Sequence, residues 1–453
     1  MSRRPALLAA GTCLAWLTLT TGYAAAAAEP PAPVDLGGAS LPAGTGSTNP
    51  DDPTTIGPGL WADTLGGSEA KNVHHFTYQR RIKDSTVHLG VVAAPASTDS
   101  DGIKIDAGVV GESGTLTSCG SGDGSTSFGL PYALMGAALD VGASAADATD
   151  RPDCLRADTI RIAVSRGYTS NISKLTIAIK VVEEAPVSGA ASLPEPGEDV
   201  AFDVPEPGGD ARELPGADSF DDAPQLDPVA GGVTVSTELT QGTEQLWRVG
   251  VQWGQQLVVR ATAPKGDEAE LEGLYSGVPL RVRLIDPRRQ VFALNEDVEG
   301  QSAEGAYDAE EAVDLVAGSR PVLYRNRFDS YLPTVPGDFW IAVSAAPVAA
   351  DADREPLDVP VELTVAVSGK SSGAPSYPDV VVSPDDSAGP GGYSPSKPFL
   401  VAEDSFSAVA SGNPVIAEED DAWLSGRRWA GLGLGAVSAV CLAAGLVRLR
   451  ARR

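Results

Sequence analysis

Basic side chains are scarce in this sequence. Lys and Arg number 33 against 61 Asp and Glu, for a formal charge of −28. A surface this acidic repels phosphate backbones and argues against nucleic-acid binding, while charge alone names no other ligand. Histidine is scarcer still, with three in the chain: His74, His75 and His88. If Phe76 and Tyr78 face a core, His74 shares their side and His75 points away. His88, between Val87 and Leu89, is expected to face solvent. Three histidines on different faces make a poor zinc site, and there is no HExxH. No metal or cofactor is therefore expected. No GxSxG elbow occurs, so a hydrolase-type serine has no support. Carboxylate pairs for glycosidase chemistry cannot be singled out among 61 acidic residues. A hydrolase with such an unmarked site stays open as the rival to a non-catalytic protein.

Cysteine is rare too, with four in the chain, and long apolar runs occur only at the two ends. Residues 1–28 carry Arg3 and Arg4, an apolar stretch from Ala6 to about Leu19, and small residues ending at Ala28. This is the layout of a secretory signal peptide cut near Ala28-Glu29, with an apolar run shorter than the ~20 residues of a membrane span. Cys13 leaves with it. At the far end, residues 429–447 are uncharged and are followed by Arg448, Arg450, Arg452 and Arg453. Their length matches a hydrocarbon layer about 30 Å thick. The positive-inside rule puts residues 448–453 in the cytoplasm and the preceding chain outside. No LPxTG-like pentapeptide precedes the run, so a single-pass cell-membrane anchor is expected rather than a sortase tail. Gly431, Gly435, Ala439 and Ala443 form a small-residue stripe that would allow a dimer or a membrane partner to approach closely. With Cys441 in the span, Cys119 and Cys154 are the only extracellular pair and are expected to form a disulfide.

What is present in quantity is short alternating strands, and they come twice. In HHFTYQRRIKDSTVHLGVVAAP (74–95), Phe76 and Tyr78, then Val87, Leu89, Val91 and Ala93, take alternate positions. EQLWRVGVQWGQQLVVRATAP (244–264) has the same rhythm, with Trp247, Val249, Val251 and Trp253, then Leu257, Val259 and Ala261. Leu65 and Leu239 open similar approaches to these pairs. Further on, DTIRIAVS (158–165) answers GDFWIAVS (337–344), LTIAI (175–179) answers LTVAV (363–367), and GIKIDAGVV (102–110) faces VPLRVRLIDP (278–287). Order and spacing agree over more than 100 residues, so two homologous units are inferred, 56–184 and 228–369. Both are expected to be all-β antiparallel sandwiches. FGLPYALMGAALDVG (128–142) is the exception, read as a short helix or turn beside the disulfide.

The run from WGQQLVV (253–259) to DFWIAVS and LTVAV resembles the bacterial pre-peptidase C-terminal type of β-sandwich. SFDDAP (219–224), followed by an acidic-glycyl lead-in and a strand pair, is similar to membrane-anchored envelope proteins of high-GC Gram-positive (actinobacterial) bacteria. The resemblance implies jelly-roll-like domains that accompany secreted enzymes or bind surfaces. It carries over no catalytic residues.

Between and around the units, residues 29–55 read as a disordered N-terminal segment. Residues 185–227, with 11 acidic residues against one basic, read as a solvated linker. Residues 370–426 read as a disordered juxtamembrane stalk or a docking tail. The loop 97–102 places Asp99, Asp101 and Gly102 as in a calcium loop, but Ser97 and Gly108 stand where outer carboxylates belong, which favours a plain turn. DGSTS (123–127) matches a DxSxS metal motif but follows a flexible loop, Ser118 to Gly122. Trp61, Tyr168, Tyr275 and Tyr307 sit near expected loops. The densest aromatic stretch is LYRNRFDSYLP (323–333), and Tyr324, Arg325, Arg327, Phe328 and Tyr331 are its candidate binding surface. The sequence thus points to a membrane-anchored extracellular protein whose two sandwiches bind a wall polymer or an envelope protein, or to an accessory subunit of a membrane complex.

Overall fold

Apolar residues at every second position build strands that bury one face each. The computed structural model of the chain describes residues 33–67, 72–95, 100–111, 115–126, 133–142, 151–167, 172–197, 203–209, 211–228, 231–272, 274, 277–292, 302–328, 332–348, 354–377 and 399–400. The first half contains β1 (Ala39–Ser40), β2 (Thr54–Ile56), β3 (Gly59–Leu65), β4 (Val73–Gln79), β5 (Thr86–Ala94) and β6 (Gly102–Val110). It continues with β7 (Leu116–Ser125), β8 (Met135–Val141), the short helix α1 (Pro152–Arg156), β9 (Thr159–Arg166) and β10 (Leu175–Glu184). Two sheets result, ordered β1-β3-β10-β5-β8 and β2-β4-β9-β6-β7. Phe76 and Tyr78 from one sheet meet Leu89, Val91 and Ile179 from the other in a closed core.

The second half contains β11 (Arg212–Glu213), β12 (Gln225–Leu226), β13 (Val233–Thr240), β14 (Glu244–Val251), β15 (Gln256–Ala263) and β16 (Val278–Ile285). Then come β17 (Val291–Phe292), β18 (Glu304–Tyr307), β19 (Val313–Gly318), β20 (Gly337–Ala345) and β21 (Asp358–Ser368). Their orders, β11-β13-β21-β15-β19 and β12-β14-β20-β16-β17, reproduce those of the first half, with β18 also on β16. Even the short parallel pairs recur, β2 on β4 and β12 on β14, β1 on β3 and β11 on β13. The sequence repeat is therefore a repeat of topology. Trp247, Val249, Val251 and Trp253 all lie in the second core and are framework.

A third apolar layer joins the halves. Leu60, Val92, Ala94 and Ala178 of the first sandwich pack with Leu246, Ile285, Trp340 and Ala342 of the second, and with Val34, Leu36 and Phe220. Strands β5 and β20 are consequently buried at every residue, which explains their nearly unbroken apolar runs. Among the described residues four sheets are stacked, and the inner two face each other.

Several expectations change. FGLPYALMGAALDVG becomes strand β8 from Met135, because Met135, Ala137, Leu139 and Val141 alternate into the first core. The supposed loop at Ser118–Gly122 belongs to strand β7, which brings Cys119 within a Cα–Cα distance of 5.7 Å of Cys154 on α1 in a disulfide. From residue 33 onward, the segment expected to be disordered supplies β1 and β2 and buries Val34, Leu36 and Leu41. The acidic linker supplies β11 and β12, and its Phe220 is fully buried against Trp340. Its few apolar residues have a neighbouring sheet to cover, so they need no core of their own. Tyr377 and β22 (Phe399–Leu400), both from the expected stalk, pack onto β10. The signal-peptide region, the 429–447 run, Gly431, Gly435, Ala439, Ala443 and the cytoplasmic tail lie outside the described residues. Among the described residues no helix is long and apolar enough to cross a membrane.

Candidate functional site

Within the 323–333 stretch, Arg327 is turned onto the first sandwich. A 3-10 turn spans Tyr324–Phe328. The Asn326 amide ties it down by donating to the carbonyls of Pro321 at 2.8 Å and Pro333 at 2.6 Å. Tyr324 and Arg327 are buried rather than exposed. The Arg327 guanidinium lies 4.0 Å over the Tyr324 ring. Its Nη1 is 2.6 Å from Glu184 Oε2, at the end of β10. Arg325 remains partly exposed and pairs with Glu195 at 2.5 Å. The side chain of Phe328, and Tyr331 altogether, lie outside the described residues, as do Tyr168 and Tyr275. Tyr307 is buried and Trp61 half-buried.

His88 is corrected as well. Its side of β5 is covered by the second sandwich, and it is 1% exposed. Nδ1 lies 2.7 Å from Asp140 Oδ1 of β8, and Nε2 lies 3.0 Å from Glu184 Oε2. Arg288 of the second sandwich pairs with Asp140 at 3.3 Å and Asp286 at 2.9 Å. Tyr377 donates to Glu184 Oε1 at 2.7 Å. Burial by itself would depress the His88 imidazolium, but attraction and hydrogen bonds from Asp140 and Glu184 outweigh it and raise the pKa above the ordinary 6.5. Asp140 and Glu184 are held below their ordinary range because, against burial, His88, Arg327 and, for Asp140, Arg288 favour their charged forms.

Beside this cluster a turn of the second sandwich is seated in the first. Asp286 Oδ1 accepts from the backbone N–H groups of Arg288 and Gln290 at 2.8 and 3.0 Å, closing the β16–β17 turn. Arg289 sits at its tip with φ +77°. Its guanidinium stacks 3.8 Å over Phe220 and 4.2 Å over Trp340. The turn's backbone rests on Gly90 and Gly136: an added Cβ would lie 1.7 Å from the Arg288 carbonyl oxygen and 2.2 Å from that of Arg289. Burial pushes Lys180 far below its usual range and Arg289 down to about 9. Close by, burial raises Asp338 to about 6 against the pull of Arg248, Lys180 and Arg289. At a second contact Glu244 accepts from the Leu134 backbone N–H at 3.0 Å and from Arg283 at 3.1 Å.

The outer faces are what remains for external ligands. On β4, β9 and β6 the register aligns Thr77, Arg161 and Gly108 in one row and His75, Ala163 and Asp106 in the next. Ala163 and Gly108 are too small to fill the middle. The result is a groove of about 540 Å³, walled by Pro50, Asp51 and Pro53 on one side and by Val110 and Leu116 on the other. Val110 and Leu116 are 49% and 61% exposed and form an apolar rim. Arg161 lines the groove, and its Nη1 is shut off from solvent without a hydrogen-bond partner among the described residues. Arg161, His75, Asp51 and Asp106 beside an apolar wall suit a polar, extended ligand. The residue types carry no motif; only the strand register brings them together.

Of the remaining candidates, Asp101 is buried and gives both carboxylate oxygens to Arg166, with Nε at 2.8 Å from Oδ1, while Asp99 lies outside the described residues. His74 shares the core side of β4 with Phe76 and Tyr78, and its Nδ1 lies 2.6 Å from Asp63.

No protein-family model matches the chain, and no curated protein matches it. Among solved structures, the N-terminal CBM22 tandem of Paenibacillus barcinonensis Xyn10C is similar at 9% identity and a TM-score of 0.19, covering 69% of this chain and 92% of that one. PNGF-II is similar at 9% identity and a TM-score of 0.19, over 68% of this chain and 64% of that one. The ANX1 ectodomain of Arabidopsis thaliana is similar at 8% identity and a TM-score of 0.15, over 74% and 96%. Likenesses at these scores carry no argument for function.

Proposed function

We propose that the chain is a non-catalytic, membrane-anchored extracellular protein that binds a polymer of the cell envelope in the outer groove of its first sandwich. The observation that carries this reading is the groove itself, about 540 Å³ on the outer sheet, lined by Arg161, His75, Asp51 and Asp106 and rimmed by the exposed Val110 and Leu116. The anchor pattern of residues 429–453 supports the location. The resemblance of the strand motifs to pre-peptidase C-terminal-type sandwiches, of which some bind surfaces, supports the mode. The second sandwich acts as a brace: its inner sheet is committed to the first, and it holds the outer sheet of the first facing away.

The test is co-sedimentation of the detergent-solubilised full chain with isolated cell walls, beside the variants Arg161→Ala and Ala163→Trp. Binding by the wild type and its loss in both variants is the expected result. Failure of the wild type to bind walls, or equal binding by all three proteins, overturns the proposal. Capture of an envelope protein through the same residues would replace the polymer with a protein ligand.

A further inference from the structure

We infer that His88 is a buried proton-binding clasp, which as an imidazolium locks the two sandwiches and the C-terminal segment together and which opens when that proton is lost.

The geometry leaves His88 one comfortable protonation state. Both ring nitrogens face carboxylate oxygens, at 2.7 Å and 3.0 Å. Neither carboxylate can supply the missing proton at low cost. Glu184 already faces Arg327 at 2.6 Å and accepts from Tyr377 at 2.7 Å, while Asp140 faces Arg288 at 3.3 Å. Each imidazole nitrogen must therefore donate, and only the imidazolium has two N–H groups.

The surrounding charges lead to the same state. Among the described residues, Asp140 of β8, Glu184 of β10 and Asp286 of the β16–β17 turn supply three negative charges, and Arg288 and Arg327 supply two positive ones. His88 supplies the third. A fully buried cluster of this kind is tolerable when its charges balance and costly when one is removed. The Tyr324 ring lies beneath the Arg327 guanidinium, the Tyr377 hydroxyl bonds Glu184, and the Phe399 ring lies 6.3 Å from the His88 ring. Tyr377 stays protonated while His88 titrates, since burial and Glu184 hold its hydroxyl well above the usual 10.0.

Loss of the proton has a preferred point of failure. The remaining N–H stays on Nδ1, at the shorter contact to Asp140, and a lone pair then faces Glu184. Glu184 is where the C-terminal segment is held. Tyr377 bonds its carboxylate, and β22 pairs Phe399 with Glu184 and Leu400 with Glu183. The main ladder of β10 with β3 ends earlier, at Val181 and Gly59. A two-residue strand gives way before strands held by long ladders, so deprotonation should release β22 and Tyr377 first. The sign follows from the raised His88 pKa: its stabilisation is complete below the ordinary 6.5 and fades as pH rises through the higher folded value.

The test is an NMR titration of the full chain in detergent with ring-labelled histidine. The chain has three histidines, and His74→Gln and His75→Gln assign the signals. The inference expects His88 to be imidazolium at pH 7.5 and to titrate at alkaline pH together with a gain in amide exchange at Leu400. His88→Gln should show that faster exchange already at pH 7.5. A neutral His88 ring at pH 7.5 overturns the inference in the wild type alone, whether or not the variant folds. Exchange at Leu400 that does not change through the His88 titration overturns the coupling.

Discussion

Gly90 and Arg288 meet backbone to backbone across the two sandwiches: a Cβ on Gly90 would lie 1.7 Å from the Arg288 carbonyl oxygen. The contact is with main chain on both sides, so no rotamer change relieves it. Gly90→Ala should therefore unseat the β16–β17 turn rather than be absorbed. We expect a loss of at least about 3 kcal/mol, or separation of the sandwiches. Calorimetry of the full chain checks this: the wild type should unfold in one cooperative step and the variant in two.

Arg289, at the tip of the same turn, works through its shape. A planar guanidinium stacks on Phe220 at 3.8 Å and Trp340 at 4.2 Å, and lysine has no plane to offer. Arg289→Lys keeps a basic side chain and loses the stack. It should destabilise by about 1–2 kcal/mol. Urea denaturation followed by tryptophan fluorescence measures this, and Trp340 is a reporter at the contact itself.

Strand alternation and the internal repeat were legible in the residues, because a single buried face writes itself as a period of two. Trp247, Val249 and Val251 show it, and the matching ladders β4-β9-β6 and β14-β20-β16 follow from it. The junction was not legible for the same physical reason. Period-two reasoning assigns polar residues of a strand to water, so His88 was expected to face solvent, yet it is 1% exposed, as are Lys180 and Asp338. What buries them is a second sheet about which their own strands say nothing. The available signals were the unbroken apolar runs in β5 and β20 and a glycine at position 90 inside a strand, where glycine weakens the strand unless another backbone comes close. The 323–333 stretch was expected to offer a binding surface, whereas Tyr324 and Arg327 within it are buried against the rest of the chain, and sequence alone could not tell an external partner from the other half of the chain. The groove had no signature at all, since Arg161, Ala163, Gly108 and His75 come from three strands.

The Cys119–Cys154 disulfide closes a separation of 35 residues and ties β7, an edge strand, to α1. In the chain-entropy model a loop of that size is worth about 3–4 kcal/mol. Cys119→Ala with Cys154→Ala should lower the stability of the first sandwich by about that amount. Groove binding should weaken as well, because Leu116 and Ser118 line the groove on the same strand. Chemical denaturation and wall co-sedimentation of the double variant read the two effects separately.

Asp338 gives the junction a pH dependence of opposite origin to that of the carboxylates around His88. Burial raises it from the ordinary 3.8 to about 6, so the folded chain holds a proton that the unfolded chain has already released. Its stabilising contribution is complete below 3.8 and is lost as pH rises through about 6. Between pH 5 and pH 7.5 this amounts to about 1 kcal/mol. Asp338→Asn removes the titration while keeping the shape, and gives up an ion pair with Arg248 at the long distance of 3.4 Å together with the attraction of Lys180 and Arg289. The stability of the variant relative to wild type should therefore rise by about 1 kcal/mol from pH 5 to pH 7.5. Denaturation at both pH values measures that difference directly. A constant difference would mean that Asp338 is ionised throughout, with Lys180 and Arg289 compensating its burial.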